Sequence, residues 1–386
     1  MTPINPLIQR APDVHVGSTF FGQALADPES INLSAAESHH GPPRHIIQAF
    51  KDAVDSGHVH YGSMRGDPEL RSAISDNVKE RFGVSYDPQT EVLVTSGASA
   101  ALFASIWTFV GEGDEVVTPD PTYSFIFEKT RLVGGTPVSA RETSDPWDMI
   151  SDIEGKISAK TKILVLVQPN NPTGLVYSKE CLRAISEIAR KHDLVVISDQ
   201  VYDEILYGGK KFHSILEEDD MKDRTILINS FSKSFGMSGL RVGYLTTSKE
   251  IMRHLFKIQA NDNPHPSVPA QLAAATGLRE PKNFLRDWLV EFERRRDNMV
   301  DSLNKINGIR CAKPDGGMVL FPDLSAFGDS ESISTLLVKK AKVVVYPGTW
   351  YGNYGQGHVR ACFTSVSEEM LEKAVQRIKE ALEGSF

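Results

Sequence analysis

The chain has 386 residues, 40% of them hydrophobic and 24% charged, with a formal net charge of -8. That length allows two domains, or one large domain with an appendage. The acidic balance argues against a phosphate-backbone binder, which presents a basic face, so nucleic acid is excluded as a partner. No apolar run approaches the roughly 20 residues that span a bilayer, and the N-terminus has no basic stretch leading into an apolar one. These features predict a cytoplasmic protein with no membrane partner. Cys181, Cys311 and Cys362 are odd in number and far apart, which predicts neither a disulfide framework nor a zinc site.

The first forty or so residues are too poor in periodicity to form a unit of their own, and residues 1–44 are expected to pack on the rest. Within them "INLSAAESHHGPP" takes a short strand-like stretch into Glu37, His39 and His40 just before a Pro-Pro pair. A carboxylate over a substrate would favour a cationic side chain or a sulfonium, and an imidazole beside it could move a proton. A solvated surface loop is the plainer reading of the same residues. From Glu91 to Thr246 short apolar runs alternate with helical patterns: "EVLVTS", "DEVVTP", "TPVSA", "KILVLVQ", "DLVVISD", "TILINS" and "RVGYLTT". Most are unbroken, as strands buried on both faces of a largely parallel sheet are. This predicts an α/β domain over residues 45–280.

Polar residues fall just past the ends of these strands, where open α/β sheets bind ligands. "VLVTSGASAALFASIW" reads as strand, small-residue turn and helix, an arrangement that offers unpaired backbone N–H groups and the Ser99 hydroxyl to an anion. Asn171 lies in the turn "QPNNPTG", and Asp199 ends "DLVVISD" with Tyr202 three residues on. A charge there is costly unless a cation or donors meet it. In "TILINSFSKSFGMSGLRVGY" a strand ends at Ser230, Lys233 follows in a Ser/Gly-rich loop, and Arg241 precedes the next strand. From Pro281 a long periodic helix leads into "GMVLFPDL", "AKVVVYPG" and "HVRACFTS". They predict a smaller α+β domain over residues 281–386.

A lysine, an aspartate, phenol and amide donors, and a phosphate cup with an arginine suit one chemistry. The chain resembles the fold-type I pyridoxal phosphate enzymes of the class I and II aminotransferase family, from "INLS" through "HVRACFTS". The resemblance implies an aspartate aminotransferase-like fold, with a mostly parallel seven-stranded sheet between helices plus the smaller domain. "SFSKSFGMSGLRVGY" is similar to the family's Schiff-base signature, which implies that Lys233 carries the cofactor and shuttles the proton, with Ser230 and Arg241 on the phosphate. By the same resemblance Asp199 keeps the pyridine nitrogen protonated, and Tyr202 and Asn171 donate to the ring oxygen. Tyr123 in "DPTYSF" stacks on the ring, and Ala98 and Ser99 complete the phosphate cup. Arg360 in "GHVRACF" grips the substrate α-carboxylate, with Asn171 beside it. Tyr61 in "HYGSMRGDPEL" reaches the phosphate of a neighbouring subunit, which implies a homodimer.

Other classes match poorly. "SFSK" satisfies the Ser-x-x-Lys pattern of acyl-serine enzymes, without its companion motifs. The Gly-x-Gly-x-x-Gly turn of nicotinamide enzymes is absent. His39, His40, His58 and His60 lack the partners of a metal site, so no metal is expected. A ligand sensor in a transcription regulator would need a DNA-binding domain for which no length remains. The expected activity is an aminotransferase acting on an L-α-amino acid through an external aldimine and a quinonoid. "AAES" also resembles a stretch of the 1-aminocyclopropane-1-carboxylate synthases, and a carboxylate two residues before His resembles the enzymes that oxidise or cyclise arginine derivatives. The alternative expectation is therefore γ-elimination, replacement or cyclisation, with Glu37 and His39 as substrate-contacting residues.

Overall fold

The structure, a computed structural model, describes residues 5–10, 19–143 and 145–384. Residues 1–4 and 11–18 of the N-terminal segment lie outside these. The first strand, β1 (Ile31–Asn32), precedes seven that form one sheet: β2 (Val92–Thr95), β3 (Glu115–Asp120), β4 (Thr136–Arg141), β5 (Thr161–Val167), β6 (Val195–Asp199), β7 (Thr225–Ser230) and β8 (Gly243–Thr246). Their order is β2-β8-β7-β6-β5-β3-β4. β8 runs antiparallel to both β2 and β7, and all other neighbours are parallel. Each of the seven corresponds to an apolar run in the sequence.

Successive side chains of a strand point to opposite faces, and both faces here are apolar. Ile163, Val165, Val167 and Ile197 pack with helices Ala98–Phe109 and Lys249–Asp262. Leu164, Leu166 and Val196 pack on the other side with helices Pro146–Lys156 and Lys179–Lys191. β4 departs from the expectation of full burial, since only Ala140 of its six residues is buried and both ends are exposed. It lies at the sheet edge, where Pro137, which cannot donate to a ladder, is tolerated.

Helix Asn283–Leu303 then leads to β9 (Val319–Leu320), β10 (Val343–Val344), β11 (Tyr346–Pro347) and β12 (Val359–Cys362). β11, β12 and β9 form an antiparallel sheet. That helix, strands β9, β10 and β12 and the helix Glu368–Glu383 share one apolar cluster, with Trp288, Phe292, Phe363 and Leu371 in it. β1 pairs parallel with β10, Ile31 beside Val343. The pairing brings the loop that begins at Leu33 to the carboxyl ends of β5, β6 and β7.

Candidate active site

The strand order reverses direction between β3 and β5, and a ligand crevice is expected beyond the carboxyl ends near such a point. A cavity of about 330 Å³ lies there, and its wall includes Ala98, Ser99, Tyr123, Asn171 and Asp199, together with Tyr202, Ser230, Lys233, Arg241 and Arg360. Ten of the thirteen residues picked from the sequence meet in one place, including all those expected on the cofactor except Tyr61.

Lys233 sits in the turn after β7. Its Nζ donates to the Ala36 carbonyl and stands 5.6 Å from the centre of the Tyr202 ring. Burial, and then the nearby Arg360 guanidinium, hold its ammonium down to about 8. Asp199 has the opposite problem. Its Oδ1 accepts from the Val201 N–H at 3.2 Å, yet burial pushes the carboxyl up to about 7. A buried carboxylate so placed is short of a cationic partner. Burial also raises both phenols, that of Tyr123 to about 12.

The helix Ala98–Phe109 begins at Gly97 with no side-chain cap, so its first N–H groups remain available to an anion. Arg241 crosses this turn, with a guanidinium N–H donating to the Ser238 carbonyl at 2.9 Å. The crossing requires glycine beneath it. Gly97 has φ +81, and a Cβ there would lie 2.6 Å from an Arg241 nitrogen. Gly243 packs against the same turn, since its Cβ would come within 2.6 Å of the Ala98 nitrogen. The Ser230 hydroxyl is next to it, donating to the Val242 carbonyl at 3.1 Å.

Arg360 projects from β12 and is buried. One guanidinium nitrogen donates to Asn171 Oδ1 at 3.3 Å and another to the Ser34 carbonyl, while Nε is buried without a partner. The guanidinium carbon stands 4.8 Å from the Tyr351 ring centre and 5.6 Å from that of Tyr346. An orphaned donor on a buried cation suits a carboxylate ligand. The cavity thus fits pyridoxal phosphate on observations of its own: uncapped helix N–H groups for a phosphate, an anion-hungry arginine, a carboxylate without a cation and a buried amine.

Three residues fall elsewhere. Tyr61 is 90% exposed and its ring lies 4.8 Å from that of His265. Glu37 is exposed and its carboxylate accepts from the Ser238 hydroxyl at 2.8 Å; Ser34, Ala35 and Ala36, and not Glu37, form that side of the wall. His39, expected to contact substrate, is not among the residues of the cavity wall. Its Nδ1 donates to the Thr364 carbonyl at 3.3 Å and its Nε2 accepts from Arg295 at 3.2 Å, so both ring nitrogens are engaged. His40 stacks on Trp288 and meets Glu291 at 2.8 Å. His39, His40 and Glu291 bring three ligand atoms together, but Arg295 already holds Glu291 at 2.5 Å in that space.

Sequence reading missed Ser34, Phe125, Tyr346 and Tyr351 in the wall. The last two lie in "YPGTWYGNYG", where aromatics between glycines just after a strand were the available signal.

Comparison with known proteins agrees with this geometry. The family profile "Aminotransferase class I and II" matches residues 28–378. The chain is 36% identical to the probable aspartate aminotransferase of Methanocaldococcus jannaschii, over 93% of this chain and 95% of that one. It is 34% identical to the aromatic-amino-acid aminotransferase 2 of Thermococcus litoralis, over 91% of each. The solved structure of an aromatic aminotransferase from Pyrococcus horikoshii superposes with a TM-score of 0.88 at 33% identity, covering 94% of this chain and 98% of that one. Nothing among these relatives favours elimination or cyclisation. The chain belongs to the class I and II aminotransferase family and is a fold-type I, pyridoxal phosphate-dependent aminotransferase.

Proposed function

We propose that the cavity beneath Ala36 is where amino transfer takes place, with Lys233 as its acid–base residue. The observation that carries this is the meeting of one buried amine, one cation-poor carboxylate and one orphaned arginine nitrogen around a single space. Pyridoxal phosphate, when bound, supplies the electron sink that acidifies the substrate Cα–H and accepts the amino group. Ala98, Ser99, Ser230 and Arg241 would hold the phosphate, and Tyr123 would pack on the ring. Asp199 would pair with the pyridine nitrogen, while Tyr202 and Asn171 would donate to the ring oxygen. Arg360 binds the substrate α-carboxylate, which orients Cα toward Lys233 Nζ, and Nζ takes the Cα proton. Burial favours that step because it brings the amine's pKa down to about 8, so that a larger fraction is neutral near physiological pH than for an exposed lysine.

Lys233 is uncharged above its pKa and protonated below it. With that value near 8, uptake of pyridoxal phosphate by the apoprotein will accelerate about tenfold between pH 7 and pH 9, following the neutral amine. Stopped-flow visible absorbance measures this; a flat profile contradicts Lys233 as the attaching amine.

In this reading the enzyme is a cytoplasmic homodimer divided near Pro281. Three free, buried cysteines suit a reducing compartment. The exposed Val59, Tyr61 and Met64 form an apolar stretch that suits a subunit contact, with Tyr61 reaching the neighbour's phosphate. Mixing Tyr61→Ala with Lys233→Ala subunits will then give activity above the sum of the two parents, because each hybrid contains one intact site. Activity equal to that sum contradicts the shared site. Aspartate and aromatic amino acids, the substrates in the relatives' names, are the leading donors. Asp199 is the sole carboxylate in the wall among the described residues, and Glu37 reaches that wall only through its hydrogen bond from Ser238.

A further inference from the structure

Asp120 ends β3 and is fully buried. Its carboxylate is met by neutral donors: the backbone N–H groups of Asn353 at 3.0 Å and Tyr354 at 3.2 Å, and the Ser139 hydroxyl. Those two N–H groups belong to the turn that follows Tyr351. The Tyr351 carbonyl in turn accepts from the Thr122 N–H at 2.7 Å. Three hydrogen bonds therefore fasten the 351–354 turn to the end of a strand in the seven-stranded sheet, although the turn belongs to the segment between β11 and β12. The fit is close. Gly352 has φ +133, and a Cβ there would lie 2.0 Å from an Asp120 carboxylate oxygen.

The turn carries one functional side chain. Tyr351 is buried in the cavity wall, with its ring centre 4.8 Å from the Arg360 guanidinium carbon. A ring at that distance orients the guanidinium, and a buried Asp with matched donors holds the ring. We propose that Asp120 is a positioning residue for the substrate α-carboxylate, holding Tyr351, and through it Arg360, in binding geometry. The proposal rests on the reading of Arg360 as the carboxylate-binding residue. It assigns Asp120 to substrate affinity and leaves the proton transfer at Lys233 untouched.

The test compares wild-type holoenzyme with Asp120→Asn, Gly352→Ala and Arg360→Ala. Asn keeps the shape of Asp but offers one acceptor oxygen where two N–H groups point. Gly352→Ala displaces the same turn from the other side. Propionate, a carboxylate without an amino group, probes affinity separately from chemistry, by its competition with the amino donor. Asp120→Asn and Gly352→Ala should each raise the donor KM and weaken propionate by about tenfold, with kcat within about threefold and the visible cofactor band unchanged. KM and propionate affinity within about twofold of wild type in Asp120→Asn would overturn the proposal. So would loss of folded holoenzyme in both variants, since the clamp would then serve the fold at large. If Arg360→Ala weakens propionate and Asp120→Asn does not, only the role of Asp120 is lost. If Arg360→Ala leaves propionate binding unchanged, the reading of Arg360 itself fails.

Discussion

Replacing Lys233 by alanine will abolish turnover, lowering kcat by about 10⁴-fold or more, the upper end of what one positioned acid–base group supplies. Lys233 is the one lysine in the cavity wall among the described residues, so no neighbouring amine can take its place. Burial that holds its ammonium near 8 makes it competent to receive a proton from Cα. Asparagine or serine at this position would be no substitute, because neither is basic. Single-turnover kinetics on the reconstituted variant measures the effect, and a rate within about tenfold of wild type would remove Lys233 from the mechanism.

Asp199→Ala comes second, with a loss of about 10²–10³-fold in kcat, the range expected when one partner of a buried charge-assisted pair is deleted. The carboxyl lies at about 7 in the protein alone because burial disfavours its charge. A protonated pyridine nitrogen would restore the carboxylate and draw that value down, so ring and carboxylate stabilise each other's charged forms. Asp199→Ala removes the carboxylate that would hold a proton on the pyridine nitrogen. Asp199→Glu should recover part of the loss and Asp199→Asn little of it, because charge, and not hydrogen bonding alone, carries the effect. A kcat for Asp199→Ala within about threefold of wild type would contradict this role.

Much of this was legible in the sequence because the informative residues lie on short, ordered stretches. The runs "KILVLV", "DLVVIS" and "TILINS" are long enough and apolar enough to be doubly buried strands, and polar residues just past their ends are candidates for the crevice. That logic brings Asn171, Asp199 and Ser230 to one rim, where the structure has them. It fails for loops whose course depends on distant partners. "SAAESHH" reads as two chemical groups over a substrate, yet the pairing of β1 with β10 sets its path. Thr364 and Arg295 then claim His39 from residues more than 250 positions away. No local pattern in "SAAESHH" encodes those partners. The same holds for Tyr351, whose place is fixed by Asp120 across the fold, and for Tyr61, which a single chain leaves in solvent.

The most direct test of amino transfer is a single-turnover absorbance scan of the holoenzyme, mixed in turn with aspartate, glutamate, alanine, phenylalanine, arginine and S-adenosylmethionine, with mass analysis of products. An aminotransferase will lose its visible cofactor band with at least one amino acid, release the matching keto acid, and regain the band with 2-oxoglutarate or pyruvate. Ammonia, a cleaved side chain or a cyclic product, with no recovery on adding a keto acid, would contradict the account.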